Sequence, residues 1–239
     1  MTEPSAAMSR LERLFRGTEE ENRRAVLRTL PAGRGGALLD IGTHKGAFTA
    51  RVAERLRAES VTGIELIEEH AQAARARGFE VLCANVDDGL PFADASFDTV
   101  HANQVIEHVV KPDEFLRAIA RVLRPGGLAL VSTNNFSSWH NVGSLALGYQ
   151  PMPAHVSDEV IVGNPLDPLR GEPHEPGRAH LRLFTARALV ELAAVHGLER
   201  VAVRTAGYYP LPPRLGRIAA RIDRLHGAFL VALLRRPVV

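Results

Sequence analysis

The chain has 239 residues, 46% of them apolar and 23% charged, which suits one α/β domain with room for an insertion and a core that needs no staples. Its lone Cys83 excludes a disulfide framework and a thiolate zinc site. Its formal charge of +2, carried mostly by scattered arginines with Lys only at 45 and 111, offers no footprint for a nucleic-acid partner.

Met1 to Arg10 lack the apolar run of a leader, and no stretch nears the roughly 20 apolar residues that span a bilayer, so the expected location is the cytoplasm. Residues 9–30 are expected to be helical, with stripes from Leu11, Leu14, Phe15, Val26, Leu27 and Leu30 and a bend or break at the charged middle. After a loop at 31–36, short apolar runs alternate with helical patterns, the mark of a parallel sheet built from βαβ units. Strands are expected at 37–41, 61–65, 81–84, 97–102 and 128–133, with helices at 46–58, 68–77 and 111–123. The last of these helices should stop at a Pro125-Gly126-Gly127 turn without a ligand role. Residues 135–180 then carry much of the Pro, Gly, Asn and His, as a functional lid or a disordered region would. Thr185 is a natural N-cap for a helix to His196. A strand at 198–204, a Pro-rich turn at 208–213, a helix near 214–226 and a strand at 229–234 complete the chain.

The first strand runs into Asp40-Ile41-Gly42-Thr43-His44-Lys45-Gly46, a glycine-bearing turn that lets backbone approach a ligand at the carboxyl edge of a sheet. Glu65, about twenty residues further at the end of the second strand, is placed to accept both ribose hydroxyls of a nucleotide. Those two features suit a dinucleotide as well as S-adenosylmethionine. Asp40 could instead cap its loop, and Glu65 could be a solvated strand-end acid.

Three further segments narrow the choice. The run from Val81 through Asn85 to Leu90-Pro91-Phe92 and Ser96-Phe97-Asp98, the run Asn103 to Glu107-His108, and Phe115 through Arg121-Val122-Leu123-Arg124-Pro125-Gly126-Gly127 together resemble the class I S-adenosylmethionine-dependent methyltransferases over residues 37–134. The resemblance implies a Rossmann-like fold, a seven-stranded mostly parallel sheet with an antiparallel last strand, plus a lid insertion. It divides the chain into an N-terminal helical segment (1–36), a cofactor-binding core (37–134), the insertion (135–184) and a completion of the sheet (185–239). It also implies S-adenosylmethionine as cofactor, leaving as S-adenosylhomocysteine. Asp40, Gly42, Thr43 and Gly46 would then border the methionine part, with Asn103 beside the sulfonium end. Glu65 with Leu66 would hold the ribose, and Asn85 with the Val86 backbone would face the adenine. This chain departs from the pattern at His44, where the family has a glycine, so the loop needs a permissive backbone angle or a displaced cofactor.

Downstream, Ser132 to Phe136, Ser138-Trp139-His140-Asn141 and Gly148-Tyr149-Gln150-Pro151, with His180 to Thr185, resemble bacterial small-molecule methyltransferases and those associated with methionine synthesis. The ubiquinone-type O-methyltransferases share Glu107-His108, but their metal-binding version has an acid where this chain has Gln104. That leaves Glu107 and His108 as a pair that would hold a hard cation weakly, so no metal is expected. His108 and His180 are the candidate bases, with His140 and His155 behind them; each could equally hold local structure, and His101 is expected to pack. Tyr149, Tyr208 and Tyr209 could line an acceptor pocket or the core. The expected activity is methyl transfer to a small molecule, most simply to oxygen of a sugar or secondary metabolite, by a chain that could form a homodimer. The alternatives are a cofactor-binding partner of another enzyme and a nucleic-acid methyltransferase.

Overall fold

Period-two runs and β-branched residues place seven strands: β1 (Ala37–Ile41), β2 (Ser60–Glu65), β3 (Glu80–Cys83), β4 (Phe97–Asn103), β5 (Leu123–Asn134), β6 (Glu199–Ala206) and β7 (Phe229–Arg235). A computed structural model, which describes residues 6–173 and 179–238, joins them in one sheet of order β3-β2-β1-β4-β5-β7-β6. The stretch 1–5, read above as leaderless, and 174–178 of the expected lid lie outside the described residues. β1 to β5 run parallel, and β7 lies antiparallel between β5 and β6, as expected. Phe229 to Leu234 are all buried, which accounts for the uninterrupted apolar run: a central strand covered on both faces has no polar side to alternate with.

The helices are α1 (Ala6–Thr29), α2 (Ala47–Leu56), α3 (Glu68–Arg75), α4 (Pro112–Val122), α5 (Trp139–Ala146), α6 (Ala186–Val195) and α7 (Pro213–Ile222). On one face of the sheet, Phe115, Leu116 and Ile119 of α4 and Leu189 of α6 pack against Val100, Val131 and Leu230. On the other, Val26 and Leu30 of α1 and Val52 and Leu56 of α2 cover Leu38, Leu130 and Val231. Burial of side chains of this size stabilises the fold by roughly 1.5–3 kcal/mol each.

Three expectations are corrected, and one segment gains a helix. α1 is continuous through its charged middle, because oppositely charged neighbours pair along it, Arg24 with Glu21 at 2.9 Å, and Arg51 of α2 reaches Glu20 at 3.3 Å. α4 ends at Val122 before the Pro-Gly-Gly run, which forms a bulge inside β5: pairing jumps from Phe97↔Leu123 to Thr99↔Leu128. The bulge is tied down by Gly126 N–H to the Arg236 carbonyl (2.9 Å) and Arg236 N–H to the Gly127 carbonyl (3.0 Å). A Cβ at Gly127 would lie 2.7 Å from the Arg124 carbonyl oxygen, so only glycine fits there. The 135–180 stretch contains α5, whose Asn141 is buried and donates to the Asn135 carbonyl at 3.0 Å. Finally, α7 stops at Ile222 rather than 226, because Asp223 Oδ1 accepts the Leu225 N–H at 2.9 Å and turns the chain. Thr185 caps α6 as read, accepting the Ala188 N–H at 3.3 Å.

Candidate functional site

Strand order reverses between β1 and β4, so the connections leaving their carboxyl ends diverge and open a crevice there. The turn from β1 into α2 forms one wall. Gly42 has φ 77°, and a Cβ on it would lie 2.7 Å from Val105 Cγ2; Gly46, also at φ 77°, opens α2. His44 takes the permissive angle the sequence required, φ 49°, at a cost of roughly 1–2 kcal/mol for a non-glycine residue. Its ring lies against His70, centroids 4.1 Å apart. Its N–H donates to Glu65 Oε2 at 2.7 Å, while the Ile67 N–H donates to Oε1 at 3.0 Å. Glu65 is thus aimed by two backbone donors into the bend of the loop, with Leu66 exposed beside it. Thr43 is buried, and its Oγ1 has no hydrogen-bond partner among the described residues.

Asp40 stands behind this wall rather than on it. Only 2% exposed, it bonds His101 Nδ1 at 2.6 Å through Oδ1, across the register pair joining β1 to β4. His101 also packs edge-on against Phe48, the structural place expected of it. At the end of β3, Asn85 Oδ1 accepts the Asp87 N–H at 3.0 Å and so caps the single turn Val86–Asp88, holding the Val86 backbone at the rim.

Asn103 shows what sequence reading missed. Asn22 of α1, buried to 2%, donates to Asn103 Oδ1 at 3.0 Å and accepts from Ser132 Oγ at 3.0 Å. The N-terminal helix therefore reaches the floor of the crevice. An isolated Asn amid charged helix residues was the signal available for it.

The opposite wall follows β4. Gln104 takes φ 59°, which turns the chain sharply into the single turn Ile106–His108. Its amide, oriented to suit its neighbours, donates to Glu107 Oε1 and accepts the Thr133 N–H, both at 3.2 Å. Glu107 is 1% exposed with Oε2 unpartnered, and burial pushes its carboxyl up to about 7. The Leu181 and Arg182 N–H groups both donate to the Glu107 carbonyl, at 2.7 and 3.1 Å, and so bring His180 alongside His108. Nδ1 of His108 bonds the Ala179 carbonyl at 3.0 Å, and Nδ1 of His180 bonds the Pro153 carbonyl at 3.2 Å. A carbonyl only accepts, so both rings carry their proton on Nδ1 and their basic lone pair on Nε2. The His108 and His180 centroids are 5.0 Å apart, and His155 stacks on His180 at 4.8 Å.

The sequence left Glu107 and His108 as a pair; the fold makes them a trio. Glu107, His108 and His180 each present one ligand atom within 4.8 Å of the others, a set whose donors would suit a zinc-like ion better than magnesium. His180 Nε2 is already in contact with Asn134 Nδ2 at 3.2 Å. His140 lies away from this cluster, edge-on to Tyr209 at 5.6 Å, and burial pulls its imidazole down to about 4. Tyr208 and Tyr209 are buried and spend their hydroxyls on the Asp223 and Leu166 carbonyls, so they anchor the fold; Tyr149 remains 39% exposed.

Residues 39–131 match the family model of the methyltransferase domain. The chain is 30% identical over 176 residues to a ubiquinone biosynthesis O-methyltransferase of Idiomarina loihiensis, covering 69% of this chain and 65% of that one. It is 38% identical over 108 residues to the 27-O-demethylrifamycin SV methyltransferase of Amycolatopsis mediterranei, covering 41% and 38%. These matches span less than two thirds of either relative's length. An S-adenosylmethionine-dependent methyltransferase structure from Thermotoga maritima superposes with a TM-score of 0.62 at 22% identity, over 93% of this chain and 91% of that one. That likeness speaks for the fold. No helix among the described residues is long and apolar enough to cross a membrane.

Proposed function

The chain belongs to the class I S-adenosylmethionine-dependent methyltransferases, and on that premise we propose that it methylates an oxygen of a small-molecule acceptor, with His108 and His180 as the proton-accepting side chains. The observation that carries this reading is the pair of imidazoles beside buried Glu107, both with Nε2 as the basic nitrogen. An amine could attack a methyl group without help, whereas a hydroxyl gains from a base titrating near neutrality, an effect typically of 10²–10⁴-fold. The oxygen chemistry in the names of the two curated relatives supports the same choice.

The crevice suits the cofactor: Gly42 has no room for a side chain, Thr43 Oγ1 is an orphaned buried hydroxyl, and Glu65 is steered by two N–H donors. When bound, S-adenosylmethionine supplies a methyl group on a sulfonium, a good leaving group. Glu65, with Leu66 beside it, takes the ribose hydroxyls, and Asn85 with the Val86 backbone takes the adenine edge. Gly42, Thr43, Gly46 and Asn103 border the methionine end, while Asp40 braces the loop through His101. The main task of these residues is to hold two reactants in line, which can lower a barrier by about 7–11 kcal/mol. The segment after β5 acts as the cover, since Pro153 and His155 within it touch His180.

Glu65→Ala is expected to weaken S-adenosylhomocysteine binding by about 1–3 kcal/mol, the usual loss for a charged acceptor. Isothermal calorimetry reads it directly, and unchanged affinity would remove Glu65 from the site. Transfer is also expected to proceed unchanged in excess EDTA. Displacement at a sulfonium needs no Lewis acid. Activity lost on chelation and restored by zinc or magnesium would make the trio a metal centre instead.

A further inference from the structure

α7 leaves its apolar side uncovered. Leu215, Ile218 and Ile222 are spaced by three and four residues, so they form one stripe along the helix, 52%, 54% and 85% exposed, and Leu211 and Leu225, just before and after the helix, are 39% and 56% exposed. Single exposed apolar residues are ordinary; a continuous stripe is not. Arg214, Arg217 and Arg221 each precede a stripe residue by one position, and thus lie along one flank of it.

On the side of α7 that faces α1 and β6 is a cavity of about 690 Å³, lined by Arg28, Arg204, Arg217, Arg221 and Arg224. Glu21 is the acid in its lining, and it pairs with Arg217 at 2.9 Å. The described residues provide no acidic partner for Arg28, Arg204, Arg221 or Arg224. Trp139 of α5 extends the face from the other side. It is 54% exposed, its Nε1 donates to Asp223 Oδ2 at 2.6 Å and its ring lies 4.4 Å from His226, just beyond the end of α7. Val142, one turn along α5, is also exposed.

We propose that this face docks on an anionic phospholipid surface, with the α7 stripe and Trp139 entering the headgroup–acyl boundary and the exposed arginines beside the stripe meeting headgroup phosphates. An apolar stripe flanked by arginines is the pattern of a helix lying in a membrane interface, and tryptophan favours the same depth. A second copy of the chain suits the face less well, since pairing stripe on stripe would bring the arginine flanks together. The same face begins the segment that follows β5, so a docked molecule would hold its acceptor cleft near the lipid phase.

Co-sedimentation of the full chain with phosphatidylcholine vesicles, and with equimolar phosphatidylcholine–phosphatidylglycerol vesicles, tests this without any methyl transfer. The protein should pellet with the anionic vesicles and remain in solution with the neutral ones. Ile218→Ser with Ile222→Ser should weaken anionic-vesicle binding by about tenfold or more. Arg221→Glu with Arg224→Glu should do so by more than about tenfold, since one arginine near such a surface is worth roughly fivefold. These side chains are exposed, and retained S-adenosylhomocysteine binding would certify the fold of each variant. The unsubstituted protein gives an independent reading, because Trp139 is its single tryptophan: anionic vesicles should shift its emission to the blue, and brominated lipid should quench it. Protein left in the supernatant with anionic vesicles, unaltered Trp139 emission, or variants that bind like the parent would each overturn the proposal. A dimer that the serine pair dissociates, seen by light scattering without vesicle binding, would assign the face to self-association.

Discussion

Replacing His108 or His180 with alanine is expected to lower turnover by roughly a hundredfold for at least one of the two, with S-adenosylhomocysteine affinity unchanged. Both rings present Nε2 as a base because backbone carbonyls hold their Nδ1 protons. The readout separates chemistry from architecture. His108→Asn keeps a donor for the Ala179 carbonyl but has no basic nitrogen, so a structural role predicts recovery of turnover and a proton-accepting role predicts none. Turnover followed as S-adenosylhomocysteine release, across pH, supplies a second test: the alkaline plateau belongs to the neutral imidazole. Parental rates in both alanine variants would return these histidines to hydrogen-bonding duty at the base of the cover.

Stability should depend on pH through two groups, buried Glu107 and part-buried His140, that oppose each other. The folded-state pKa of Glu107 is raised from 4.5 to about 7 by burial. Between those values the folded chain keeps a proton that the unfolded chain has lost, so its contribution is full below about 4.5 and is lost as pH rises through about 7. His140 is lowered from 6.5 to about 4, again by burial. Its contribution is full above 6.5 and is lost as pH falls through about 4. Each shift corresponds to something on the order of 3 kcal/mol, and over pH 4.5 to 6.5 the two slopes nearly cancel. Glu107→Gln should therefore unmask a steep rise in stability from about pH 4 to 6.5, and His140→Gln a fall from about pH 4.5 to 7. Urea unfolding at several pH values measures both. A Glu107→Gln profile parallel to the parent's would mean that Glu107 is ionised in the fold, most simply against an imidazolium.

Much of the core was legible because its determinants are local. The apolar runs at β1, β2 and β4, the αL-tolerant glycines at 42 and 46, and the Thr185 cap act within a few residues of themselves, and those short-range preferences survive folding unchanged. Local signals misled where a distant partner overrides them. The Pro-Gly-Gly run reads as a terminator, yet β7 draws it into the sheet through Arg236. The charged middle of α1 reads as a break, yet it is held by ion pairs to itself and to α2.

The sequence by itself determined the parallel architecture, the glycine-bearing loop after β1 with its tolerant backbone angle, and the set of histidines from which a base could be drawn. Tertiary structure decided which of them meet. His180 reaches His108 because the Glu107 carbonyl captures the N–H groups of Leu181 and Arg182, a contact across more than seventy residues that no periodicity encodes. The same holds for Asn22 under Asn103 and for the stripe of α7. The stripe's spacing was readable, but its exposure depends on which neighbours pack against α1, β6 and α7, and those assemble only when the sheet closes its order at β7 and β6.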